Sequence, residues 1–340
     1  MKKNLRSYPL AELKELVAGL GIEPYRGPQI FQWLWQKNAA DFDQMTNLSK
    51  SLRKLLAEEF EIAGLEMVHQ QSAKDGTRKF LLKLEDSAYI EAVYIPEQKR
   101  KTICVSTQIG CPLNCKFCAT ALLDFKRNLK AYEIADEIRI IRQEMAEKIT
   151  NIVFMGMGEP LLNIKEVESA IGIINSPVGL GISQRHMTIS TVGIIEGIEY
   201  LLESPLKVKL AISLNFADEE LREKMMPIAK SNPLKKLLKL ARAYSFKRQM
   251  VTFEYTLISG LNDSLTDAQN LVKLLKGIPA KINLIPYNPY PSLSYKRTAD
   301  IKVEEFYQYL MNYHFTVTLR KSRGQEILAG CGQLAGKLQK

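Results

Sequence analysis

The run Lys101-Thr102-Ile103-Cys104-Val105-Ser106-Thr107-Gln108, followed at once by Ile109-Gly110-Cys111-Pro112-Leu113-Asn114-Cys115-Lys116-Phe117-Cys118, decides how this chain is read. Its first part is β-branched and apolar and predicts a strand over 102–108; its second part is a loop carrying three thiols within eight residues. Short spacers let consecutive thiolates turn inward onto one centre while the backbone between them curls around it. The count is informative, because iron-sulfur cubanes are normally held by four thiolates and structural zinc sites are closed by four ligands. A triad with no Cys or His close behind it predicts a metal centre with one coordination position open to a substrate or cofactor. The competing reading is a structural zinc loop completed by a distant Cys or His, and the spacing is not the paired knuckle usual for zinc.

Working outward, strand and helix alternate from Lys99-Arg100-Lys101 almost to the C-terminus. Strands are expected at 102–108, 151–156, 187–191, 207–214, 251–257, 281–285 and 315–319, and helices near 131–147, 164–175, 194–203, 218–227, 234–244, 264–275 and 302–313. Repeated βα units with Val-, Ile-, Leu- and Phe-rich strands predict an α/β fold. Its parallel sheet is covered by helices, as an open doubly wound sheet or a full or partial barrel. In either architecture ligands gather at the carboxyl ends of the strands, so the cysteine loop lies at that rim.

Upstream, residues 1 to about 75 read as a helical module. Leu10, Leu13, Leu16, Val17 and Leu20 recur at helical spacing before Gly21, Pro28 suits a first helical turn, and Leu48, Leu52, Leu55, Leu56 and Phe60 continue the pattern. Trp33 and Trp35 offer base-stacking faces, but beside Ile30, Phe31 and Leu34 at least one reads as core. A hairpin follows, Arg78 to Leu84 and Tyr89 to Pro96 around Asp86-Ser87. Glu91 stands inside its apolar run, where a carboxylate is unusual; alternation also allows the polar face of an edge strand. The expected division is a helical module over 1–75, a hairpin linker over 76–100 and a core over 101–340.

The chain has 340 residues, 46% hydrophobic and 25% charged, ordinary values for a soluble globular protein. A net charge of +10 and a pI near 9.2 favour a polyanionic partner, nucleic acid being the commonest, although a solvated basic surface gives the same balance. Met1-Lys2-Lys3 opens no apolar signal region and no apolar run reaches membrane length, so neither secretion nor membrane insertion is expected. Five cysteines, three of them clustered, suit a reducing cytoplasm better than a disulfide framework.

Residues just beyond the strands look functional. Gly156-Met157-Gly158-Glu159-Pro160 allows close backbone approach and supplies an acceptor for an ammonium, or else makes a tight turn with a solvated acid. Ser190-Thr191-Val192-Gly193 and Ser213-Leu214-Asn215 bring hydroxyls and an amide that suit a carboxylate, ribose or base, and that equally cap helices. Asn288 sits in the proline-stiffened Pro286-Tyr287-Asn288-Pro289-Tyr290-Pro291. Near the end, Arg320-Lys321-Ser322-Arg323 reads as a phosphate contact or a solvated face. Cys331, between two glycines, is either a thiol on a mobile loop or a small buried hydrophobe.

Taken together, several runs resemble the RlmN/Cfr family of radical S-adenosylmethionine (SAM) methyltransferases. They are Cys104-Val105-Ser106-Thr107-Gln108-Ile109-Gly110-Cys111, the triad, Met155-Gly156-Met157-Gly158-Glu159-Pro160-Leu161-Leu162-Asn163, Ile282-Asn283-Leu284-Ile285-Pro286 and Cys331-Gly332-Gln333-Leu334-Ala335-Gly336. The likeness covers nearly the whole chain, including Pro24-Tyr25-Arg26. Gly158 to Asn163 is similar to the C2-directed branch rather than the C8-directed one. The resemblance implies a radical-SAM type partial (β/α) barrel with a small N-terminal helical domain. It implies a 4Fe-4S cluster on Cys111, Cys115 and Cys118, and SAM, two per turnover, on Gly158, Glu159, Ser190, Ser213, Leu214, Asn215 and Asn288. Family members usually carry histidine at the place of Asn215, which leaves a side-chain contact there open.

The same resemblance makes Cys331 the methyl carrier, Cys104 its resolving partner and Glu91 the general base. It implies methylation at carbon 2 of adenosine in RNA, at adenosine 2503 of 23S rRNA and adenosine 37 of certain tRNAs. Carbon 2 lies between two ring nitrogens and is electron-poor, so the methyl arrives as a radical. One SAM methylates Cys331, and a second is cleaved to take hydrogen from the S-methyl group. The RNA and protein become joined, Glu91 removes the C2 proton, and Cys104 displaces the sulfur to leave a transient disulfide. The 104 and 331 thiols are therefore expected to meet in space. Implied partners are 23S rRNA, tRNA and an electron donor such as flavodoxin, with a monomeric enzyme in the cytoplasm. A C8-directed methyltransferase and a metal-stabilised RNA-binding protein are the alternatives.

Overall fold

A computed structural model of the chain describes residues 2–336; Met1 and residues 337–340, the end of the expected 101–340 core, lie outside the described residues. Seven parallel strands stand side by side in chain order: Lys101–Val105, Asn151–Phe154, Met187–Thr191, Lys209–Ser213, Val251–Leu257, Ala280–Pro286 and Thr316–Leu319. Helices Ala131–Met145, Ile164–Asn175, Ile195–Glu203, Glu219–Met225, Leu234–Lys247, Leu265–Leu275 and Asp300–Met311 fall between them, as the alternation of apolar runs predicts. Each helix hides one stripe against the sheet. In Ala131–Met145 the buried Ile134, Ala135, Ile138 and Ile141 follow helical periodicity, and the Lys130 amide donates to Glu133 Oε2 at 2.7 Å to close the first turn.

The sheet extends past Lys101–Val105 through three antiparallel strands, Tyr89–Pro96, Arg78–Lys83 and Glu66–Ser72, giving ten in all. Its outermost strands, Thr316–Leu319 and Glu66–Ser72, do not pair with each other, so the sheet stays open as in a partial barrel. The expected hairpin is present, but two details differ from expectation. Glu66–Ser72 is a strand within a stretch that reads as helical to about 75, because this edge strand leaves Met67 and Val68 exposed and is held by backbone pairing rather than by an apolar stripe. Tyr89–Pro96 is paired on both sides, so Glu91 is not on an edge; it is 2% exposed.

The N-terminal helices Leu10–Gly19, Arg26–Trp35 and Lys50–Glu59 form around Leu13, Val17, Ile30, Phe31, Leu34, Trp35 and Leu56. Trp35 is core, whereas Trp33 is half-buried with the Lys37 ammonium 4.0 Å from its ring centre. The module docks on the helix Ala131–Met145 through a buried pair, Arg6 with Asp136 at 3.9 Å, while the Leu65 amide donates to Asp136 Oδ2 at 2.7 Å. Burial pushes the Arg6 guanidinium down to about 10 despite Asp136.

At the carboxyl rim the backbone leaves no room for side chains. The Gly156 amide donates to the Val105 carbonyl at 2.9 Å, and a Cβ on Gly156 would lie 2.6 Å from that oxygen. Gly156→Ala should therefore cost on the order of 1–3 kcal/mol of stability, read as a lower urea midpoint at unchanged m-value. A midpoint equal to wild type would show that the two strands have slack.

Candidate active site

The cysteine loop is shaped by its own backbone. Gly110 has φ +75°, and a Cβ there would meet the Asp124 carbonyl at 2.3 Å. Asn114, at φ +53°, reverses the chain between the first two thiols, and the Cys118 amide donates to the Cys115 carbonyl at 3.1 Å. Neighbouring segments anchor the loop: Lys116 N–H donates to Met225 O at 3.0 Å and the Tyr287 hydroxyl to Phe117 O at 3.2 Å.

This loop, the strand ends and the C-terminal segment line an open cavity of about 160 Å³. Its wall includes Cys115, Cys118, Gly158, Glu159, Ser190, Ser213, Asn215 and Cys331. Gly158, at φ +97°, brings the backbone against Gln108, which accepts from the Glu159 amide at 2.8 Å. Glu159 itself accepts from the Leu161 and Val192 amides at 3.0 and 2.9 Å; burial raises its carboxyl to about 7, and those amides oppose the rise. Asn215 has φ +57° and takes the Thr256 amide on Oδ1 at 3.1 Å. Leu214 has its side chain wholly in the core, and Cys111 lies on the loop but off the cavity wall.

The residues fit a cluster. Burial raises the Cys115 thiol well above its ordinary value, the neighbouring Cys118 and Cys111 add to the rise, and burial brings Cys111 up to about 12. Such thiols become thiolates only when a metal takes the place of the proton. Beneath them lies Arg222, 0% exposed and without an ion pair among the described residues. Its amines reach only the Val192 and Asn232 carbonyls, at 2.6 and 3.4 Å, and its Nε has no partner. An unpaired buried cation beside three thiols suits an anionic group in the loop. Among the described residues no three His, Cys, Asp or Glu side chains gather closely enough for a single ion. A cubane asks for something else, one thiolate on each of three iron corners.

A second, smaller cavity of about 20 Å³ lies behind the first, lined by Cys104, Cys331, Asn288 and Arg320 among others. The structure thus brings residues 104 and 331 to one space, with both thiols free. Burial raises both; the Arg320 guanidinium works against that rise at each. Asn288 sits here rather than on the larger wall, its amide reaching the Cys331 carbonyl at 3.4 Å. Glu91 lies beyond the tail: Oε2 accepts from the Ala335 and Gly336 amides at 2.7 and 3.1 Å, and Oε1 faces Lys79 Nζ at 3.1 Å.

Three site residues escape a reading of the sequence. Glu254, buried mid-strand, accepts from Ser190 and Ser213 at 3.1 and 3.3 Å and faces Arg320 at 3.8 Å. Lys79 and Arg222 are the others. For Glu254 the available signal was the one that marked Glu91, a charge within an apolar run; Lys79 and Arg222 stand beside other charges and carried no such mark. In the basic runs Lys99-Arg100-Lys101, Lys126-Arg127 and Lys235-Lys236 four cations pair with acids of the chain: Arg100 with Glu97, Lys101 with Glu147, Arg127 with Glu133 and Asp86, and Lys236 with Glu199.

The open parallel sheet with a three-thiol loop at its carboxyl rim defines a radical SAM protein, and the Radical SAM superfamily model matches residues 105–272. A ribosomal RNA large subunit methyltransferase N-terminal domain model matches residues 3–62. The dual-specificity RNA methyltransferase RlmN of Halorhodospira halophila is 45% identical over 94% of this chain and 90% of its own length. That of Geotalea uraniireducens is 41% identical over 100% of this chain and 98% of its own. A crystal structure of a radical SAM methyltransferase from Sphaerobacter thermophilus superposes with a TM-score of 0.94 at 37% identity, covering 98% of this chain and 100% of that one. The chain belongs to the RlmN family of radical SAM methyltransferases, enzymes that work with a 4Fe-4S cluster and SAM.

Behind Cys104 the carboxyl of Glu137 takes the Ser106 amide at 3.0 Å on Oε2, while Oε1 has no partner; burial raises its pKa well above 4.5. The folded state therefore holds this proton more tightly than the unfolded chain does. The stabilising contribution is full below the ordinary carboxyl range and is lost as pH rises from there toward the folded pKa. Glu137→Gln keeps the shape without the titration, so its melting temperature should gain on wild type steadily from about pH 4.5 upward. A gap that stays constant with pH would mean the carboxyl titrates normally.

Proposed function

We propose that this chain methylates carbon 2 of adenosine in RNA, at adenosine 2503 of 23S rRNA and adenosine 37 of certain tRNAs. The reading rests on one observation above the others: Cys331 stands where the two cavities meet, facing the cysteine loop and the strand ends on one side and Cys104 on the other. Cys111, Cys115 and Cys118 hold the cluster. Glu159 accepts the SAM ammonium, with Gly158, Ser190, Ser213, Leu214, Asn215 and Asn288 completing its surroundings. Leu214 offers only its main chain.

Cys331 attacks the methyl of one SAM by ordinary displacement and carries it as an S-methyl group. When bound, the cluster with a second SAM supplies the redox half of the reaction, removing a hydrogen atom from that methyl and taking back one electron from the RNA–protein adduct. Glu91 accepts the C2 proton. Cys104, as thiolate, then attacks Sγ of Cys331; the sulfur–carbon bond breaks toward carbon, which takes up a proton and leaves as the methyl group. Arg320 favours the thiolate at both cysteines against the cost of burial. The Cys104–Cys331 disulfide is reopened by cytoplasmic thiol reductants.

Around this centre, residues 1–75 grip RNA, residues 76–100 carry Glu91 into the sheet, and residues 101–340 form the catalytic core. The enzyme acts as a cytoplasmic monomer on 23S rRNA and tRNA, with an electron donor such as flavodoxin. No helix among the described residues is long and apolar enough to cross a membrane.

Digested RNA from a reaction with the anaerobically reconstituted protein should contain 2-methyladenosine by mass spectrometry; 8-methyladenosine, or none, overturns the proposal. Cys104→Ala should stall with RNA covalently attached through Cys331, seen as a gel-shifted species that resists denaturation. Free turnover by that variant removes Cys104 from the mechanism.

A further inference from the structure

One buried ammonium has no part in the steps described above. Lys79 lies in the strand Arg78–Lys83, its side chain 4% exposed. Lys is seldom so deeply buried, because its ammonium loses its water and needs a partner in return. Among the described residues that ammonium makes one ion pair, with Glu91 at 3.1 Å, and no hydrogen bond. The register explains the meeting: Lys79 pairs with Val93 and Leu81 with Glu91, so Lys79 and Glu91 are diagonal neighbours across two antiparallel strands. A hairpin core needs no such pair, since apolar residues of similar size would be equally stable or more so.

The other oxygen of Glu91 is held by the tail. Its two donors, the Ala335 and Gly336 amides, belong to the segment that also carries Cys331. For that oxygen to receive a proton from RNA, these amides have to release it, and the ion pair with Lys79 at 3.1 Å is then the one charged contact left to the carboxylate among the described residues. Lys79 is on the sheet and stays when the tail leaves.

We propose that Lys79 is the positioning residue for Glu91, keeping the buried carboxylate aimed at the RNA adduct once the tail amides have withdrawn. The inference rests on the reading of Glu91 as the base. The step it serves is the transfer of the C2 proton to Oε2: the C2–H bond breaks, its electron pair restores the aromatic ring, and the proton remains available for the methylene carbon that Cys104 liberates. Lys79 gives up no proton and touches no RNA atom.

The test uses the reconstituted holoenzyme, SAM and an RNA hairpin carrying the target adenosine. S-methylation of Cys331, adduct formation and adduct decay are timed separately on quenched samples. Lys79→Met should form S-methylcysteine and adduct but slow adduct decay by at least about tenfold, while Lys79→Arg restores most of the decay rate. Adduct decay at the wild-type rate in K79M, or in K79M and K79R slowed alike, overturns the inference. E91Q separates it from the reading beneath: if E91Q decays as wild type does, Glu91 is not the base; if E91Q stalls and K79M does not, only Lys79 is misassigned. Should K79M fail to fold, K79M/E91Q leaves no charge unpaired and is compared with E91Q. Equal decay rates support action through Glu91 alone, and further slowing in the double variant overturns it.

Discussion

Two hydrogen bonds stitch the C-terminal segment to the cysteine loop: the Ala119 amide to the Gly332 carbonyl at 2.7 Å, and the Thr120 hydroxyl to the Leu334 carbonyl at 2.8 Å. Everything that makes this rim a site depends on that contact. It places Cys331 on the wall of the large cavity, brings the same thiol to the small cavity beside Cys104, and carries the Ala335 and Gly336 amides to Glu91. Each such bond is worth only about 1 kcal/mol net, because water competes for the same groups. The two bonds place the segment together with others, among them the Gln333 side-chain amide on the Pro289 carbonyl at 2.7 Å, and with the burial of Leu334 and Ala335. Gly330 and Gly332 flank Cys331; a Cβ on Gly330 would lie 2.7 Å from Asn288 Nδ2, so the close seat needs glycine.

Around that segment the protein keeps charge in places where water is scarce. Glu91 with Lys79, Glu254 with Arg320, Glu159 on two amides and Arg222 without an acid are all buried or nearly so. Breaking such pairs costs far more than making them gains, so they are weak evidence of selection for stability and stronger evidence of a chemical task. Their arrangement is layered. Glu254 orients Ser190 and Ser213 on the wall of the large cavity and holds Arg320, which lines the small cavity with the two thiols, so one carboxylate links the two cavities. Arg222 lies near Cys115 of the loop, and Lys79 beside Glu91.

Much of this was legible in the sequence, and the limits have physical reasons. The strands and helices from residue 101 onward carry strong apolar periods because both faces of the parallel sheet are covered, and the triad spacing is local, so both could be read from neighbouring residues. Glu66–Ser72 could not, since an edge strand with solvent-facing Met67 and Val68 has no apolar alternation to show. The charge partners lie outside local pattern altogether. Lys79 and Glu91 meet through hairpin register, and Glu254 and Arg320 through strands that are neighbours only in the folded sheet. Asn288, legible as a rigid loop residue, supports the Cys331 carbonyl from the small cavity instead of lining the large one.

Asn215, where the family usually carries histidine, shows how a substitution at such a rim can be absorbed. Its φ of +57° lies in the left-handed region, which most side chains avoid and which Asn, Asp and His tolerate best. The backbone there demands a residue of this small set before any contact is considered. Asn215 then ties the turn down with its own groups, accepting the Thr256 amide on Oδ1 at 3.1 Å while its carbonyl accepts from Asn262 at 2.6 Å. Its backbone amide donates to the Glu254 carbonyl at 3.2 Å, so the main chain at this position is committed as well. The position is thus set by chain geometry first, and the side chain secures that geometry.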